Sequence, residues 1–109
     1  MPKFVTIGYG DEEGYERTMP EIRNAAHEHD EVLVRAGALI GIAGGPVQVR
    51  NPDAKGVQTE PTAFMTSPLP VAGFSIIDAG DIAEAIMLVS QSPCAVAHGV
   101  VEIWPLLGS

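Results

Sequence analysis

Histidine is the side chain that most readily gives or takes a proton near neutrality, and of the three in this chain His29 has the spacing that would turn it inward. Ile22, Ala25, Ala26, His29, Leu33 and Ala36 recur at i, i+3, i+4, i+7, i+11 and i+14, the pattern of one buried helix face. An imidazole on that stripe could move a proton on a substrate lodged between helix and sheet. The competing reading is a core histidine satisfied by one hydrogen bond. His27 sits two residues away on a diverging face, beside Glu28 and near Glu31, and reads as a solvated residue rather than half of a metal pair.

Two carboxylates could orient such a histidine. Glu102 lies in the apolar run Val100-Val101-Glu102-Ile103-Trp104, where a carboxylate must be paired, protonated or close to an opening. A pair with Arg50 or an interface hydrogen bond would satisfy it equally. Glu60 stands at the mouth of an irregular segment and is either a second orienting group or simply exposed. Tyr9, Phe64, Met65, Phe74 and Trp104 supply candidates for the apolar wall of a substrate pocket, with core packing as the alternative. Arg50 could hold a substrate carboxylate or join a surface ion pair. The expected catalytic set is therefore His29, Glu102 and Glu60, and the expected binding set is Tyr9, Arg50, Phe64, Met65, Phe74 and Trp104. The chemistry these groups suit is elimination, isomerisation or ring closure on a flat, apolar, aromatic or polyketide-like molecule, with no cofactor. No metal is expected, and Cys94, the lone cysteine, allows no internal disulfide and no cysteine-based zinc site. Ala43-Gly44-Gly45-Pro46 lacks the lysine and following helix of a phosphate loop.

The elements that must position these residues are clearest from Ala72 to Pro105. Gly73-Phe74-Ser75-Ile76-Ile77 is a strand closed by Asp78-Ala79-Gly80. Asp81 caps a helix with Glu84 completing a capping box; Ile82, Ala85, Ile86 and Val89 form its buried face, and Ser92-Pro93 ends it. Val100 to Trp104 is the last strand, stopped by Pro105. Upstream, Phe4 to Tyr9 is a strand, Gly10-Asp11-Glu12-Glu13-Gly14 an acidic turn, and Thr18-Met19-Pro20-Glu21 the start of the His29 helix, which Gly37 ends. Ala38 to Ala43 is a strand, Val47–Arg50 and Val57–Glu60 form a hairpin, and Thr62 to Pro70 is a loop.

That order predicts one α+β domain over 1–109, a ferredoxin-like βαββαβ fold with an inserted β-hairpin. Several strands are apolar on both sides: Phe4 opposes Val5, Leu39 opposes Ile40, and Val101 and Ile103 oppose Val100 and Trp104. An antiparallel sheet usually shows water a polar face, so a homodimer joined through the sheets is expected. The net charge of −8, with six scattered basic residues, argues against nucleic acid. No apolar run reaches the length of a membrane span and the start lacks a secretory core, so a cytoplasmic protein is expected.

The chain also resembles a known family. Tyr9-Gly10-Asp11-Glu12, Ala36-Gly37-Ala38-Leu39, Gly73 to Asp78, the Asp81 to Val89 helix with Ser92-Pro93, and Gly99 to Leu106 are together similar to the YCII-related proteins, in their DGPF-motif branch. The name motif would fall on Pro61-Thr62-Ala63-Phe64, where only the Phe matches. The His and Asp of the YCII branch's proposed dyad map to Ala26 and Ser92, so the dyad is absent here. The resemblance implies a dimeric α/β barrel, a fold shared with small cofactor-independent enzymes. It also implies the alternative of a non-catalytic dimeric module that binds a ligand or partner, with a link to sigma-factor regulation.

Overall fold

The computed structural model describes residues 1–108, and its framework is a four-stranded antiparallel sheet. β1 (Lys3–Tyr9) lies between β5 (Val71–Asp78) and β6 (Val100–Leu106), and β2 (Leu39–Ile42) extends the sheet beyond β5, giving the order β2-β5-β1-β6. Each pairing is antiparallel. This α+β architecture is compatible with the expected βαββαβ plan. The inserted hairpin is a separate ribbon: β3 (Gln48–Arg50) and β4 (Gln58–Glu60) pair only with each other, joined through a short 3-10 turn at Pro52–Ala54. Residues 49–68 are exposed throughout.

Four α-helices accompany the sheet: α1 (Glu12–Arg17), α2 (Pro20–Arg35), α3 (Ile82–Val89) and α4 (Pro93–Val96). α1 stands where the sequence suggests an acidic turn. Asp11 accepts from the Gly14 N–H at 2.8 Å, and Glu12 and Glu13 fill the first turn, so the acids complement the free N–H groups and the positive end of the helix. Thr18 does not cap α2 as expected; its hydroxyl donates to the Gly14 carbonyl at 2.8 Å and closes α1 instead, while Met19 precedes α2 with no side-chain cap. Gly37 ends α2 at φ 110°, the left-handed conformation that glycine adopts without a Cβ penalty.

At the other end of the fold, Asp81 caps α3 as expected, accepting from the Glu84 N–H at 2.8 Å. Ser92-Pro93 then opens α4, because a proline that cannot continue one helix suits the first turn of the next. Pro105 does not stop β6, which runs on to Leu106; β6 is an edge strand, where the missing N–H leaves no ladder bond broken.

Register sorts the strand residues into two faces. Phe4, Thr6 and Gly8 pair with Ile77, Ser75 and Gly73 on one side and with Pro105, Ile103 and Val101 on the other. This is the helix-covered face. Its packed end is the core: Phe4 and Ile77 meet Ala79, Ala85 and Val89, with Ala38, Leu88, Val101 and Ile103 around them. The opposite face carries Val5, Ile7, Tyr9, Phe74, Ile76, Val100, Glu102 and Trp104 together with Leu39. No helix covers that face. Leu39 is 69% exposed and Trp104 56%.

Candidate functional site

The helix-covered face is not packed along its whole length. Beyond the Phe4–Ile77 core the sheet offers Thr6, Gly8, Gly73 and Ser75, all small, and an open cavity of about 610 Å³ lies above them. Its apolar walls come from Leu33 of α2, Ile40 and Ile42 of β2, Val89 of α3 and Val101 of β6. α4 closes one side with Pro93, Cys94 and Ala97. The approach is close: a Cβ on Gly8 would lie 2.9 Å from Cys94 Sγ, so a larger residue there would require the Cys94 side chain or α4 to shift. The volume and apolar lining are those of a small-molecule pocket.

Few polar groups enter it. On the floor, the Thr6 and Ser75 hydroxyls share a hydrogen bond. One hydroxyl hydrogen serves that bond, which leaves the other for an acceptor above. At the rim stand Asp11, Glu12, Tyr15 and His27; Tyr15 Oη and His27 Nε2 are hydrogen-bonded at 2.9 Å, and the Arg23 guanidinium lies 4.7 Å from the Tyr15 ring centroid. In the wall is Asp30 of α2. Burial raises its carboxyl pKa, and the charges of His29 and His27 pull it back in part. Among the described residues its carboxylate has neither a hydrogen bond nor an ion pair. Burial, and then the charge of Asp30, likewise push the Cys94 thiol up.

The expected site residues are distributed otherwise. His29 does not line the cavity: its Nε2 donates to the Leu88 carbonyl at 2.6 Å, tying α2 to α3. A carbonyl only accepts, so Nε2 carries the proton and is committed to a structural bond. Glu102 lies on the uncovered face, where its Oε1 accepts from Tyr9 Oη at 2.9 Å, with Met65 Sδ 3.8 Å from the same hydroxyl. That bond, assisted by burial, raises the Tyr9 pKa. Arg50 does not reach Glu102; it donates to Gln48 Oε1 at 3.0 Å and lies 5.8 Å from the Phe64 ring centroid, out on the ribbon. Glu60 is exposed on β4.

The structure therefore brings together Tyr9, Glu102 and Met65 on one face and Arg50 with Phe64 on the ribbon, but it does not unite His29, Glu102 and Glu60. Phe74 borders the cavity while its register places it on the uncovered face with Trp104. Sequence reasoning missed Asp30, Thr6, Ser75 and Tyr15. The signal for Asp30 was present: Ala26, Asp30 and Leu33 stand at i, i+4 and i+7, and Ala26 and Leu33 are the buried residues of α2. Compared with known proteins, the chain matches no family profile and no curated sequence.

Proposed function

We propose that this chain is a homodimeric small-molecule-binding domain, joined through its uncovered sheet face, whose helix–sheet cavity holds a flat, largely apolar ligand. The observation that carries this reading is the cavity above Thr6, Gly8, Gly73 and Ser75. Packed interiors leave few voids larger than a water molecule, and here small side chains coincide in register on two neighbouring strands. The uncovered face supports the dimer, since Val100, Phe74, Leu39 and Trp104 form an apolar layer that needs a second layer against it. A dimeric α/β barrel in the YCII-related DGPF branch accommodates both features.

A second reading, cofactor-free acid–base catalysis, is favoured by Asp30. An unpartnered carboxylate in an apolar wall is a stronger base than one in water. It could take a proton from a carbon acid and return it at another carbon of the same molecule, an isomerisation. His29, held by Leu88, would then act only as a neighbouring charge.

Thermal melting against a panel of flat aromatic and polyketide-like compounds tests the first reading. A compound binding only the folded state at a hundredfold excess over its Kd adds about 2.7 kcal/mol of stability. We expect an upward shift that Gly10→Phe abolishes, because a Cβ at Gly10 meets only Cys94 Sγ, at 3.7 Å, and the ring would enter the cavity. A panel that shifts nothing overturns the reading. Turnover of a compound that binds, lost in Asp30→Asn, would select the second.

A further inference from the structure

The carboxylates around the cavity outnumber its cations, which are His27 at the rim and Arg23 behind the Tyr15 ring. Asp11 and Glu12 stand at its rim and Asp30 in its wall, and among the described residues no Lys or Arg lines it. Arg23 is engaged with the Tyr15 ring. Arg35 borders a neighbouring depression of about 370 Å³ that Asp30 also touches, but no ion pair joins the two side chains.

We infer that the cavity selects a cationic amphiphile, a flat apolar body carrying one amine, with its rings against Leu33, Ile40, Val89 and Val101 and its ammonium on the Asp30 carboxylate. This rests on the reading of the cavity as a ligand site and names the ligand's chemistry.

Three features carry it. Asp30 is half-buried without a donor, so the protein bears a desolvation cost that a ligand ammonium would offset through a charge-assisted hydrogen bond. A ligand carboxylate would instead be brought among Asp11, Glu12 and Asp30 with no Lys or Arg among the described residues of the lining to receive it, which is discrimination by repulsion. The chain's net charge of −8 acts in the same direction at longer range, drawing cations toward the molecule and deflecting anions. The remaining polar feature, the Thr6–Ser75 hydroxyl pair, is neutral and tolerates a hydroxyl or carbonyl at the ligand's far end without setting the sign of its charge.

The test is calorimetric titration of the full chain at neutral pH with tryptamine, tryptophol and indoleacetate, which share a ring and differ in the terminal group. Tryptamine should bind about tenfold or more tightly than tryptophol, and indoleacetate most weakly. Asp30→Asn should remove the preference and bring tryptamine to the level of tryptophol; Asp30→Ser repeats the measurement should the amide disturb the fold. Equal binding of all three, preference for indoleacetate, or an amine preference that survives both substitutions overturns the inference while leaving the cavity a ligand site. Binding of none of the three, in calorimetry and in melting alike, overturns the ligand site itself and the inference with it.

Discussion

The two faces of the sheet are built from the same strands and differ in where their volume lies. On the covered face the middle of β1 and β5 carries Thr6, Gly8, Gly73 and Ser75, and helices bridge over the space those residues leave. One residue along in each strand, the uncovered face carries Ile7, Phe74 and Ile76, with Phe74 and Ile76 exposed. Side chains alternate across a strand with period two, so one stretch of sequence can leave room for a small molecule on one side and fill the other for a protein surface. Bulk has been withheld where helices could have packed and concentrated where they do not reach. On the proposed reading, the covered face receives something smaller than a side-chain layer, and the uncovered face something larger than water.

Adjacent residues give the largest expected effect. Ile77 is 2% exposed and Ile76 38%, on opposite faces. Ile77→Ala should cost about 3 kcal/mol in urea unfolding, within the range for a buried aliphatic truncation. Ile76→Ala should cost less, by an amount that grows with protein concentration if the uncovered face is a dimer interface. Equal, concentration-independent losses would erase the distinction between the faces. Next comes Trp104→Glu. If the uncovered face is the interface, a buried interface tryptophan is worth about 2 kcal/mol or more, so sedimentation should show self-association weakened by about 30-fold, while ligand-induced melting shifts persist in the monomer. A variant that associates as before would remove Trp104 from the interface.

The smallest effects are electrostatic and have opposite signs on the two faces. Asp30 titrates above its usual value because burial disfavours its charge. The stability linked to that shift is present below the unfolded carboxyl pKa and lost as pH rises through the folded one. Asp30→Asn should therefore be more stable than the natural chain at neutral pH and lose that advantage on acidification. Asp78 titrates below its usual value because Lys3 donates to it at 2.7 Å. Its contribution is present above the unfolded pKa and lost as pH falls through the folded one. Lys3→Met should thus melt slightly lower at neutral pH, with the difference vanishing in acid. Melting curves across pH that move both variants in the same direction would contradict this assignment.

Much of the framework was legible from local chemistry. Asp81 with Glu84 marked α3, Gly37 marked the end of α2, and the alternation in Val100 to Trp104 put Val101 and Ile103 on one face together, the face that the structure shows joining the core. The misreadings came from residues that serve two elements at once. Gly10 to Gly14 reads as a turn, yet Asp11 begins a helix; Ser92-Pro93 reads as a terminator, yet it starts α4. Pro105 reads as a strand breaker unless β6 is known to lie at an edge, and only pairing at long range sets that.

The site was less legible because a pocket is made by what is missing. Hydropathy spacing assigns inward positions to apolar residues, so on α2 it included Ile22, which is exposed, and passed over Asp30. His29 was placed near the sheet by the same count, but its ring is spent on the Leu88 carbonyl. Nothing along the chain announces that Thr6 and Ser75 will be neighbours; the register of two strands decides it.

The central position of β1 also bears on how the chain acquires its shape. β1 precedes both of the strands that flank it: Lys3 meets Asp78 across 75 positions and Tyr9 meets Glu102 across 93. Synthesis delivers β1 long before either partner, and the ribbon of β3 and β4 can close by itself in the interval. Ordering the sheet must await β5 and β6, and such distant pairing slows folding relative to chains held by local contacts. During synthesis β1 thus stays an unpaired apolar strand until β5 has emerged, which exposes Phe4 to Tyr9 to chaperones and to mispairing.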